Sequence, residues 1–92
     1  MKLYKSAYFG KWASEHDISD STLRTTIREM HQGVFEASLG GCVYKKRIAI
    51  GSKGKSGGAR TIIAFKQNER AFLYMDSQRT HGPTLAKMNW RH

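Results

Sequence analysis

The feature that most constrains this chain is a change of hydrophobic period after Gly40-Gly41. Before it, Leu23, Ile27 and Met30 recur at the spacing of one helix face. After it come three short runs rich in β-branched and aromatic residues: 43–50 (VYKKRIAI), 60–66 (RTIIAFK) and 70–75 (RAFLYM). Runs of this kind read as strands. Residues 67–69 (QNE) suit a hairpin turn between the last two, and the glycine-rich stretch 51–58 (GSKGKSGG) reads as a loop. Nearer the start, Ala7, Tyr8, Trp12 and Ala13, with Phe9 alongside, suit one face of a short helix over 6–16. Residues 17–21 (DISDS) form a turn rich in capping residues. Ser19, Asp20 or Ser21 then caps a second helix that Gly33 ends. Residues 3–5 add at most an edge strand. The expectation is an α+β chain: an N-terminal helical hairpin packed on a small twisted antiparallel sheet.

At 92 residues there is room for one modest core. No apolar run approaches the roughly 18 to 20 residues that span a bilayer. No apolar stretch follows Lys2, so a secretory signal is not expected, and the single cysteine, Cys42, has no internal partner. Together these point to a cytoplasmic chain that does not engage a membrane.

Charge narrows the partners. Sixteen Lys and Arg against seven Asp and Glu give a formal +9, an excess that favours encounter with polyanions. Between residues 42 and 70 the chain carries Lys45, Lys46, Arg47, Lys53, Lys55, Arg60, Lys66 and Arg70 against Glu69 alone. Strand alternation puts Lys45 and Arg47 on one face, with Tyr44, Lys46 and Ile48 on the other. Arg60 on an adjoining strand would bring three cations to one groove, with Tyr44 as the neighbouring aromatic for a base. The residues leave open a second reading, a solvated sheet face whose Lys and Arg only discourage edge pairing.

Other chemistries find less support. The loop GSKGKSGG lacks the G-x-x-x-x-G-K-[ST] spacing, and a strand rather than a helix follows it. His16, His31, His81 and His92 lack zinc-ligand spacing, so no metal or other cofactor is expected. Ser56, His31 and Asp76 are the types a hydrolytic triad needs, but no local signature joins them.

The run LGGCVYKKRIA, the loop GKSGGARTIIAF and the strand RAFLY resemble the RelE/HigB-type toxins of bacterial type II toxin–antitoxin operons. The opening KSAYFGKWASEHDISDSTL resembles that subgroup's first segment. The resemblance implies two helices on a twisted antiparallel sheet. It also implies a ribosome-dependent mRNA endoribonuclease in which the ribose 2′-OH attacks the adjacent phosphate without a metal. Lys45, Arg47 and Arg60 match the family's catalytic cations. Tyr44, Lys46, Lys53, Lys55, Lys66 and Arg70 are the remaining candidate RNA contacts. The implied partners are a cognate antitoxin, expected to be a helix-turn-helix protein, together with mRNA and the ribosome. A monomer or weak homodimer is expected. The alternative is a non-catalytic basic module that binds RNA or an antitoxin.

The resemblance covers residues 1 to about 74 and then stops. Relatives continue with something like G-F-A-K-x-x-R-A-N-I and a closing helix, whereas here Tyr74 is followed by MDSQRTHGP. A back-translation of the tail, read in the next frame, gives GFAKNARANISQDELAA, so the tail looks frameshifted after Tyr74. The expected division is a toxin domain over 1–75 and a divergent tail over 76–92. That tail would lack a catalytic group, so the activity is expected to be impaired or lost. Residues such as Lys87 and Trp90 would have no evolved role. Pro83 suits neither a paired strand nor a helix interior, which predicts an incomplete sheet edge.

Overall fold

Ser6 ends one element and starts the next. In the computed structural model, which describes residues 2–50, 58–66, 69–77 and 90–91 (Arg91 by its backbone), Lys2–Ser6 is strand β1. The Ser6 hydroxyl then accepts a hydrogen bond from the Phe9 N–H at 3.1 Å, capping helix α1, Ala7–Glu15. Ser19 caps helix α2, Asp20–His31, by accepting from the Thr22 N–H at 3.2 Å. Asp20 in its first turn and Arg28 and His31 in its last complement the helix dipole. Gly33 follows at φ +88°, a left-handed conformation that suits glycine at a helix end.

Five more strands follow: β2 (Ala37–Gly40), β3 (Val43–Ile48), β4 (Ala59–Lys66), β5 (Arg70–Met75) and β6 (Trp90–Arg91). All join one sheet in the order β2-β3-β4-β5-β1-β6. The α+β class therefore stands, but two expectations about arrangement do not. The chain opens on a strand rather than on a helical hairpin, and the sheet is mixed rather than antiparallel. β1 runs parallel to β5, with Leu3 opposite Ala71 and Tyr4 opposite Phe72. Such parallel pairing needs a long crossover, which the two helices and the β2–β4 meander supply. Five residues with one strongly buried apolar side chain, Leu3, give little periodic signal, so a strand set by partners far along the chain looked like an edge. β2 is equally faint. Its four residues, ASLG, are fixed by a tight hairpin in which Gly40, Gly41 and Cys42 all have positive φ.

The tail also differs from expectation. Trp90–Arg91 pairs antiparallel with β1, so β1 is not left as an open edge. The Trp90 ring packs against Phe72 and Tyr74 at centroid distances of 5.1 and 6.1 Å. The apolar surface offered by those two aromatics is sufficient reason for a late tryptophan to return to the sheet. Pro83, Lys87, the loop GSKGKSGG and the Gln67-Asn68 part of the expected turn lie outside the described residues.

The main core lies between the helices and one face of the sheet. Phe9, Ala13, Leu23, Ile27 and Met30 meet Leu3, Ile48, Ile63, Ala71, Leu73 and Met75. Each fully buried large side chain contributes roughly 1.5–3 kcal/mol. On α1 the buried pair is Phe9 and Ala13, at i and i+4, while Tyr8 is left exposed and Trp12 half-buried.

One polar side chain enters this layer. Lys46 is 1% exposed, and its Nζ lies 3.2 Å from Oε1 of Glu29 on α2, whose side chain keeps 39% exposure. The contact is an ion pair by distance, although its angle falls short of a hydrogen bond. Burying an ammonium is costly, and most of the pair's worth lies in not leaving that charge alone. Glu29→Gln should therefore lower stability by about 1–3 kcal/mol, whereas Lys46→Met should be neutral or stabilising. Denaturant midpoints for the two variants check this. The reverse order would show that the ion pair does not hold α2 to β3.

Candidate nucleic-acid interface

The face of the sheet turned away from the helices carries the charge. Directly paired residues of an antiparallel ladder share a face, and the β3–β4 register sets Arg47 opposite Arg60 and Lys45 opposite Ile62. Lys45, Arg47 and Arg60 thus come together, with Arg60 exposed and the other two half-buried. Like charges directly opposite one another destabilise a sheet. Among the described residues no carboxylate forms an ion pair with any of the three. The Arg47 Nε is shut off from solvent and has no hydrogen-bond partner among the described residues. Such a donor gains most from an incoming anion.

Glu36 frames this end of the face. Its N–H donates to the Lys45 carbonyl at 3.0 Å, and its carboxylate accepts from the Arg47 backbone N–H. The sequence offered no reason to single it out, because it sits just before a strand that was itself faint.

Two other candidates lie on the helix side. Tyr44 packs against Phe35 at 4.8 Å and Phe65 at 5.9 Å, within the core layer, so it is not the aromatic that accompanies the three cations. Lys46 is buried against Glu29 and presents no charge to the open face. Alternation had already separated both from Lys45 and Arg47, and the helices cover their side. Lys53 and Lys55 lie outside the described residues.

The aromatics of the open face come from other strands. Ile62 and Tyr74 are buried there beneath Leu39, Val43 and Trp90. Tyr4 and Phe72 stack at 5.1 Å and 16°. Farther along, Lys66 pairs with Arg70, and Arg70 with Lys2, all three exposed. Lys66 and Arg70 were among the sequence candidates. Lys2, Phe72 and Trp90 were not, because their place depends on the parallel β1–β5 pairing and on the return of β6.

This arrangement can grip a phosphodiester and oppose negative charge as it develops on phosphorus. Among the described residues no group of three or more His, Cys, Asp and Glu is placed to hold a metal ion. No helix among them is long and apolar enough to cross a membrane.

Comparison with known proteins gives a family and nothing narrower. The family model described as the RelE toxin of the RelE / RelB toxin–antitoxin system matches residues 1–83. That span contains both helices, β1 through β5 and all three clustered cations, and it continues past Tyr74. Neither a curated protein nor a solved structure matches the chain. A match over most of the chain, on a two-helix α+β fold, settles the point: this chain belongs to the RelE toxin family of toxin–antitoxin systems.

Proposed function

We propose that the open sheet face is the site of an mRNA endoribonuclease acting on the ribosome in the cytoplasm, held in check by a cognate antitoxin. The observation that carries this reading is the in-register Arg47–Arg60 pair with Lys45 beside it. In the proposed reaction the 2′-oxygen of a ribose attacks the adjacent phosphorus and loses its proton. The P–O5′ bond breaks, and the 5′ oxygen takes up a proton as it leaves, giving a 2′,3′-cyclic phosphate. Arg47 and Arg60 hold the non-bridging oxygens, where charge builds up in the transition state, and Lys45 adds a third positive charge. Planar guanidinium groups suit that role because each offers paired donors to phosphate oxygens.

The tail bears on how much of this activity survives. Thr61–Met75 is the last β4–β5 pair, one residue from Arg60, so the chain beyond Met75 leaves the sheet beside the proposed site. A frame change after Tyr74 would therefore replace the residues next to the chemistry. The frame-restored tail GFAKNARANI would put a Lys and an Arg at the fourth and seventh positions after Tyr74, where the chain as written has Gln78 and His81.

Two outcomes are expected. In the frame-restored background, made by deleting two bases at codon 74, Arg47→Ala or Arg60→Ala should slow cleavage by on the order of 10²–10³. In the chain as written, each should reduce the slope of log K against log salt for single-stranded RNA by about 0.7. Cleavage on translating ribosomes and salt-dependent binding measure the two effects. Unchanged cleavage in both variants would remove the site, and binding without cleavage in every background would favour the non-catalytic module.

A third outcome concerns growth. The chain as written should be tolerated at expression levels where the frame-restored version arrests the host, because losing one member of a catalytic group costs several orders of magnitude in rate. Growth curves and mRNA cleavage for the two versions decide it. Equal toxicity would show that the tail carries no loss of function.

A further inference from the structure

The cations at the far end of the same face are as unusual as those at the proposed site. Lys66, Arg70 and Lys2 stand in register across β4, β5 and β1. Neighbouring strands lie about 4.8 Å apart, so the three like-charged side chains start from adjacent positions in one row. Among the described residues no carboxylate pairs with any member of it. The acidic residue nearest in sequence, Glu69, is in contact through its backbone, which accepts the Lys2 N–H at 2.8 Å. Such a row weakens the sheet unless an anion offsets it.

Next to the row is a cleft of about 430 Å³, whose lining includes Val43, Ala64, Phe65, Phe72 and Trp90 together with Lys66 of the row. That volume lies within the usual range of small-ligand sites. The Trp90 ring stands nearly upright on Phe72, at 77°, so it forms a wall of the cleft. An apolar, aromatic slot with a row of cations beside it matches the two parts of a nucleotide: a flat base and a charged phosphate.

We propose that this cleft and the Lys66–Arg70–Lys2 row form a second RNA subsite, taking one unpaired nucleotide of a single strand whose scissile bond lies at Arg47 and Arg60. Six residue steps along β4 carry the chain from Arg60 to Lys66, about 20 Å of extended strand. The row therefore binds nucleotides away from the cut, where it holds the strand without taking part in the chemistry. The proposal rests on the reading of the ligand as RNA and is independent of cleavage. The cations, Phe72 and Val43 precede Tyr74, so they remain in either reading frame, whereas Trp90 belongs to the chain as written and serves there as wall and reporter.

The test uses the full chain as written and a 2′-O-methylated oligoribonucleotide, which has no nucleophile and reports binding alone. In a Trp12→Phe background Trp90 is the only tryptophan. The oligonucleotide should quench its fluorescence, while inorganic polyphosphate should bind more weakly and leave the fluorescence unchanged. Lys66→Ala with Arg70→Ala should abolish the quench and lower the salt slope by about 1.4. Arg47→Ala with Arg60→Ala should weaken binding but keep the quench. Anisotropy of a labelled oligonucleotide on the unmodified chain and its Trp90→Leu variant gives a second readout, with roughly tenfold weaker binding expected in the variant. Absence of a quench together with equal affinity for Trp90→Leu would overturn the subsite, and polyphosphate matching the oligonucleotide would reduce it to a charged patch. Those failures leave the cleavage reading intact. That reading falls separately, if frame-restored Arg47→Ala and Arg60→Ala still cut.

Discussion

The register of β3 against β4 is the constraint on which the open face depends. A slip of one residue would turn Lys45 and Arg47 into the helix layer and bring Lys46 out. Several contacts oppose the slip. The Thr61 hydroxyl donates to the Lys46 carbonyl at 2.7 Å in a buried position. Ile48 and Ile63 are fully covered on the helix side. Lys46 reaches Glu29 from the same layer, and a slip that brought Lys46 out would end that contact. The one lysine of β3 turned away from the open face therefore helps to fix the two cations that lie on it.

Both ends of the face carry like charges in register, an arrangement that costs the sheet stability. Arg47 opposite Arg60, and Lys66 opposite Arg70 opposite Lys2, each oppose sheet formation. The centre offsets this with Ile62 and Tyr74 buried under Leu39, Val43 and Trp90. An antitoxin that stabilises its toxin has an evident means of doing so, since acidic groups laid along this face would relieve both rows and exclude RNA at once.

How much of this was legible in the sequence follows from the range of each interaction. The caps at Ser19 and the stop at Gly33 are local, and the pattern of residues shows them. So does the alternation of β3, which separates Lys45 and Arg47 from Tyr44 and Lys46 before any partner is known. The placement of β1 was not legible, because only Ala71 and Phe72, most of the chain away, make Leu3 and Tyr4 part of an inner strand. The Lys2 member of the far cation row was hidden for the same reason. The burial of Lys46 was hidden too, because a lysine in a strand gives no sign that a helix carboxylate stands over it. Tyr44 was drawn toward the cations by proximity in sequence, although its own period places it in the core.

The two ends of the face also depend on different parts of the chain. The Lys66–Arg70–Lys2 end is built from the turn between β4 and β5 and from the first residues of β1, none of which follows Tyr74. The Arg47–Arg60 end lies where β5 finishes and the divergent tail departs. A change of frame after Tyr74 therefore acts on the two unequally. Such a change would replace the residues that follow β5, while the cation row would keep its strands and its register. The return of Trp90–Arg91 onto β1 adds to the sheet on the side of Tyr4 and Phe72, three strands across from Arg60. Under the proposed function, binding and cleavage would then be separable by the geometry of the sheet itself, and a tail that removed one could leave the other in place.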